Sequence, residues 1–370
     1  MKKRIAYVVH SLNLGGTERL AADMAMAMRH QFDIRIICLD EPGIWAETVR
    51  KAGIPVMALY RQPGLDLRLP LMLARYARQN HIQLFHAHQC TPWFYAGLSR
   101  MIHPATKLLF EEHGRFYPEK LNRNRRLFNR VALQKLTHQA VAVSNDVKNR
   151  LFLFEGLDLE KIQVVYNGTM PVAAMGAEER QTLRLRFGLK QSAFVAGFSG
   201  RLDPIKNLAL IIDGYQRAKA NCPDLKILII GDGPLHAELK EKIDHLKLRD
   251  HILLAGYQPD AGKLAAIMDV FLLVSFSEGT SMALLEAMSA GIPAIVTDVG
   301  GNPEIVVHNQ TGWIIPSDDP IALAMALAEA SKDKEKRQLI GINAQNRFLE
   351  KFTFNGMIDQ YNHIYNELLD

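Results

Sequence analysis

Residues Ser275–Glu304, SFSEGTSMALLEAMSAGIPAIVTDVGGNPE, read as loop, helix, turn, strand and loop. Two carboxylates mark the helix, Glu278 at its start and Glu286 on its body. Ser277, Thr280 and Ser281 are capping residues, and Gly279 lets the backbone come close to a ligand. Met282, Leu285 and Met288 fall on one helical face, and Gly291 and Pro293 end the helix where a C-cap belongs. Ala294-Ile295-Val296 then reads as a buried parallel strand. Such a loop-to-helix step presents backbone N–H groups at Thr280, Ser281 and Met282, where the helix dipole favours a diphosphate. Glu286 sits roughly 9 Å further along the helix, about the distance from a diphosphate to the ribose of the same nucleotide. A carboxylate there can accept from two ribose hydroxyls. Glu278, at the other end, can accept from sugar hydroxyls.

The E-G-x-x-x-x-x-x-E run from Glu278 to Glu286, followed by A-M-S-A-G-I-P and the Gly300-Gly301 loop, resembles the signature of the retaining glycosyltransferases of family 4. The resemblance implies the GT-B fold: two Rossmann-like, doubly wound parallel-sheet α/β domains facing a cleft, with a C-terminal helix crossing back to the first. It also implies a nucleoside-diphosphate-sugar donor, a hydroxyl acceptor, and no cofactor or metal ion. In the family's usual front-face substitution, the leaving phosphate itself takes the acceptor's proton.

A chain of 370 residues suits two domains, and 48% apolar with 22% charged residues is an ordinary globular composition. Cys38, Cys90 and Cys222 are too scattered for a disulfide framework or a C-x-x-C metal site, which favours a reducing compartment. His10, Ser11 and Asn13 break the first apolar run too early for a signal peptide, and no stretch approaches the length of a membrane span. The expected location is cytoplasmic, either free or peripheral on the inner face of the membrane. Residues 1–170 hold 24 Lys and Arg against 14 Asp and Glu, net +10, whereas residues 171–370 hold 20 against 25, net −5. That asymmetry argues for two domains with different partners. Nucleic acid is not among them, because no recognisable nucleic-acid motif accompanies the basic half. The expected boundaries are 1–170 for an acceptor-binding domain, 171–350 for a nucleotide-sugar-binding domain, and 351–370 for a helix packing back on the first.

In the first half, Ile5–Val9 is a buried strand, Asn13–Arg19 a glycine turn and Arg19–Arg29 a helix, the opening unit of a doubly wound sheet. Gly15-Gly16 does not make the three-glycine dinucleotide fingerprint. By resemblance this loop lies near the donor phosphate, through Gly16, or the acceptor, through Gly15. Strands follow at Ile34–Leu39, Val56–Leu59, Leu84–His88 and Leu108–Phe110. His86 and His88 are expected to face opposite sides of their strand, which would make them poor joint metal ligands. His88 and Arg115 are placed with Gly15 on the acceptor side. His113-Gly114, at a strand end, matches a family histidine beside the donor sugar, and the resemblance carries that role to His113. Pro118–His138 reads as an amphipathic helix whose cations, from Lys120 to Lys135, suit an anionic membrane surface or an acidic acceptor.

In the second half, Phe194–Asn207 looks like the family's G-R-L-x-x-x-K element, with Gly200, Arg201 and Lys206 at the donor diphosphate; Asn207 stands where glycine is common. Fixed cations there stabilise the charge that grows on the leaving phosphate. Gly231, in Gly231-Asp-Gly233, helps shape the nucleotide pocket by resemblance. The site expectation is thus Arg201, Lys206, Glu278 and His113 as catalytic residues. Gly16, Gly200, Gly231, Gly279, Thr280, Ser281, Met282 and Glu286 bind donor, and no metal is held. The expected function is a retaining, metal-independent transfer of sugar to a glycan or lipid-linked acceptor in cell-envelope synthesis. Alternatives are a nucleotide-sugar epimerase or hydrolase of the same fold, and a catalytically silent sugar-nucleotide-binding scaffold.

Overall fold

The computed structural model of the chain describes residues 2–13, 15–114 and 118–370. It divides into two compact units, one of Met1–Tyr166 with Asn355–Asp370 and the other of Asn167–Phe354. Each is a parallel α/β sheet of doubly wound type.

The first unit contains β1 (Arg4–Val9), β2 (Asp33–Cys38), β3 (Val56–Ala58), β4 (Leu84–His88), β5 (Lys107–Glu112), β6 (Gln139–Ala142) and β7 (Ile162–Val164). Their order across the sheet is β3-β2-β1-β4-β5-β6-β7, and every pairing is parallel. The inner strands β1, β4, β5 and β6 are short, mostly apolar runs buried on both faces, as helices on either side of a parallel sheet require, and the edge strands β3 and β7 are only partly buried. The order reverses between β1 and β4, so the loops after these two strands diverge and leave room at their carboxyl ends for a ligand. The last helix, Phe354–Leu369, belongs to this unit and buries Met357, Tyr361, Ile364 and Tyr365, positions spaced as one face of a helix. Tyr365 meets the edge of Phe32 with ring centres 5.5 Å apart.

The second unit contains β8 (Phe194–Ser199), β9 (Leu225–Ile230), β10 (Ile252–Leu254), β11 (Val270–Leu273), β12 (Ala294–Thr297) and β13 (Gly312–Ile315), ordered β10-β9-β8-β11-β12-β13. Its reversal lies between β8 and β11, the strands that run into Gly200-Arg201 and into Ser275–Ser281. Helix Met282–Ser289 joins β11 to β12, ending before Gly291 at φ 72°.

One expected element differs. Between Pro118 and His138 the chain is helical only from Arg123 to Leu136, and the middle of that stretch, Asn129–Leu133, has π-helical turns. A π turn shifts the side chains that follow out of the 3.6-residue stripe. The wider turn lets Asn129 reach inward, where its amide donates to Glu155 at 2.6 Å.

Candidate active site

In the second unit the chemistry gathers where β8 and β11 end. After Ser199 the chain turns at Gly200, passes Arg201 and forms a single 3-10 turn, Pro204–Lys206, whose start is capped by Asp203. Asn207 takes the left-handed conformation at φ 49°, the freedom glycine would supply, and its amide is anchored to Asp318 at 3.1 Å. The turn places the Lys206 ammonium 2.7 Å from Glu278 Oε1. Ser275 donates to the same oxygen at 2.5 Å. The backbones are laced as well, Phe276 N–H donating to Ile205 C=O at 2.8 Å. Lys206 and Glu278 are thus brought together from strands that are neighbours in the sheet but 72 residues apart in sequence.

Two glycines are required by close approach. A Cβ on Gly300, at φ 55°, would lie 2.0 Å from the Glu278 carbonyl oxygen, so the Gly300-Gly301 loop can lie across Glu278 only without a side chain there. A Cβ on Gly231 would lie 1.8 Å from the carbonyl oxygen of Gly200, which joins the β8 and β9 turns backbone to backbone.

Gly279, Thr280 and Ser281 are buried and lead into the helix, and Ser281 caps it by accepting from Leu284 N–H at 3.4 Å. Met282 and Glu286 are half-buried. The Glu286 carboxylate lies against Gly262, close enough that a Cβ there would come within 2.9 Å. Arg201 is exposed and forms an ion pair with Asp203 two residues on. The second unit therefore presents a helix N-terminus, a Lys–Glu pair and an arginine within one strand-end cluster, the donors and acceptors that suit a phosphate and sugar hydroxyls.

The first unit carries a different cluster. Gly15 and Gly16 are exposed at the start of helix Gly16–Met28. His86, His88 and Glu111 are wholly buried, and His113 is nearly so. The expectation that His86 and His88 face apart is incorrect: residues two apart on a strand share a face. Their ring centres lie 4.1 Å apart. Glu111, paired with His88 across β4 and β5, places its carboxylate between them. Its Oε2 is 2.9 Å from His86 Nε2 and 3.3 Å from His88 Nδ1. Ligating atoms of these three side chains lie within 4.8 Å of one another, near enough for a shared ion or a shared proton. His113 stacks on His88, with His113 Nε2 3.0 Å from His88 Nδ1. Burial pushes both His86 and His88 below the usual imidazole range. Burial also acts to raise Glu111, but His113, His86 and His88 more than offset it and hold the carboxyl below the usual carboxylate range. Arg115 lies outside the described residues. Reading the sequence alone missed Glu111, Ser275 and Asp203; the parity of a strand would have placed Glu111 and His113 together.

Residues 14–171 match the profile described as Glycosyltransferase Family 4, and residues 179–347 match that of Glycosyl transferases group 1. The chain belongs to glycosyltransferase family 4. It is 26% identical over 319 residues, 84% of this chain and 82% of the other, to N-acetyl-alpha-D-glucosaminyl L-malate synthase of Bacillus anthracis. It is 24% identical, over all of this chain and 98% of the other, to the UDP-Gal:alpha-D-GlcNAc-diphosphoundecaprenol alpha-1,3-galactosyltransferase of Escherichia coli. Among solved structures, HepE of Anabaena in complex with UDP superposes with a TM-score of 0.88 at 22% identity, covering 98% of this chain and 100% of that one. The fold of this glycosyltransferase is GT-B.

Proposed function

We propose that this glycosyltransferase takes a sugar from a uridine diphosphate donor and transfers it, with retention and without a metal ion, to a hydroxyl of a lipid-linked or glycan acceptor in polysaccharide or glycolipid synthesis. The observation that carries the reading is the Lys206–Glu278 pair beside the capped N-terminus of helix Met282–Ser289. The Lys206 ammonium and Arg201 neutralise the leaving diphosphate, whose charge grows as the glycosyl bond breaks. Glu278 accepts from hydroxyls of the transferred sugar, and Glu286 accepts from the ribose. His113 donates a hydrogen bond to the sugar. Two cations and a helix N-terminus supply the charge that a bound metal would otherwise bring. A uridine donor is supported by the UDP-galactose named for the Escherichia coli relative and by the UDP and UDP-glucose held by HepE. The diphosphoundecaprenol acceptor of that same relative supports a lipid-linked one.

The test is thermal stability of the purified protein against UDP, GDP, ADP, CDP and dTDP, each with and without EDTA. Occupancy at a hundred times the dissociation constant stabilises by about 2.7 kcal/mol. The expected outcome is a shift with UDP alone that survives EDTA and disappears in Glu286→Ala. Equal shifts with all five nucleotides, or loss of the UDP shift in EDTA, would overturn the donor or the metal-free part. Retention is read from the anomeric configuration of the product by NMR.

A further inference from the structure

The buried cluster of the first unit has a direction, set by an ionised carboxylate that can only accept. Glu111 Oε2 lies 2.9 Å from His86 Nε2, which therefore carries the hydrogen. A neutral His86 then presents its Nδ1 lone pair to Tyr365 Oη at 2.7 Å. On the other side of the carboxylate, His88 Nδ1 lies between Glu111 Oε2 and His113 Nε2, at 3.3 and 3.0 Å. An ionised carboxylate requires a hydrogen on that nitrogen. The hydrogen then also faces His113 Nε2, which must present its lone pair.

We propose that Glu111 is a positioning residue which, through His88 Nδ1–H, caps His113 Nε2 and so forces the His113 proton onto Nδ1. Nδ1 is buried and has no hydrogen-bond partner among the described residues, so it is the ring atom left to donate. The ligand class is a neutral hydroxyl of the sugar substrate, which accepts from N–H; a phosphate oxygen would instead favour an imidazolium. The proposal rests on the role given to His113 above, and the carboxylate makes that ring an Nδ1–H donor of fixed orientation.

Long-range nitrogen–proton correlation spectra of the full-length protein with labelled histidine, assigned with His113→Gln, read the tautomer directly and need no activity. The expected spectrum shows His113 as Nδ1–H. An Nε2–H form in the wild type would overturn the proposal, and so would one equivalent of a transition metal bound by His86, His88 and Glu111 in the purified protein. In Glu111→Gln the amide donates to His88 Nδ1 and the chain reverses. The expected result is a kcat at least tenfold lower with the KM for donor within twofold of wild type, and partial recovery in Glu111→Asp. Full kcat in Glu111→Gln with an inactive His113→Ala would overturn the positioning role and leave the proposed transfer standing. Full kcat in His113→Ala would overturn the role of His113 itself.

Discussion

Lys206 is the residue at which chemistry and structure depend most closely on each other. Its ammonium meets Glu278 with little solvent around the carboxylate, so the pair is held in one place before any substrate binds. In the proposed transfer, Lys206→Ala removes a cation from the leaving phosphate, and it leaves Glu278 without its ion-pair partner. Turnover is expected to fall at least about a hundredfold, from the loss of about 3 kcal/mol of transition-state stabilisation. A near-normal rate in the purified variant would remove Lys206 from the mechanism. His138 supplies a test of a different kind. Its Nδ1 accepts from Leu108 N–H at 3.1 Å, and burial, together with Arg100 and Lys107, lowers its pKa from 6.5 to about 4. A folded-state pKa below the unfolded one stabilises fully above about pH 6.5 and is lost as pH falls through 4. In His138→Asn, whose amide oxygen keeps an acceptor there without titrating, the melting temperature should fall less between pH 6.5 and 4.5 than in the wild type. Identical slopes would place the acid sensitivity elsewhere. At this scale the sequence singled out Lys206, Glu278 and Glu286, because each stands in a motif with spacing of its own, and the structure pairs the first two. Glu111 stayed hidden: its meaning depends on facing His86 and His88 across two strands, and no motif spans that pairing.

Elements were legible where their period was regular. Leu84–His88 appears with its expected bounds, and β1 begins one residue earlier than its apolar run. The basic stretch was not, because amphipathic spacing cannot distinguish an unbroken α-helix from one that changes to π turns on the way. Ion pairs and hydrogen bonds decide which of its cations are held by the fold. Arg125 is paired with the buried Glu155 at 2.8 Å, and Arg126 donates to the Leu153 carbonyl at 2.8 Å, so both are tied to the fold. Lys120, Arg123 and Arg130 are exposed, and Leu121, Leu127, Phe128 and Val131 stand exposed among them. Cations interleaved with apolar side chains suit the surface of an anionic bilayer, which fits a lipid-linked acceptor. Reversing Lys120, Arg123 and Arg130 to Glu should reduce co-sedimentation with phosphatidylglycerol vesicles several-fold while leaving the melting temperature within a few degrees. Unchanged co-sedimentation would sink the membrane contact.

On the scale of the whole molecule, length and glycine turns pointed to two α/β domains, and the structure shows two parallel sheets with the family's profiles matched on both. What the last helix buries was beyond reach of the sequence, since Tyr361 and Tyr365 read only as aromatic positions on an amphipathic face. In the first unit Tyr365 meets Tyr7 and His86, and Tyr361 lies beside His86 with ring centres 5.5 Å apart. Removing residues 355–370 should therefore cost the first unit its cooperative unfolding while the second still melts as a unit and still responds to UDP. A truncated protein with both transitions intact would contradict this. The composition of the two units has one more consequence, which concerns the ribosome. The second unit is continuous from Asn167 to Phe354, whereas the first draws on both ends of the chain. A nascent polypeptide can finish the second unit as soon as it emerges. The earlier-made segment must wait, with the Tyr7 and His86 side chains uncovered, until helix Phe354–Leu369 has been made and arrives to cover them.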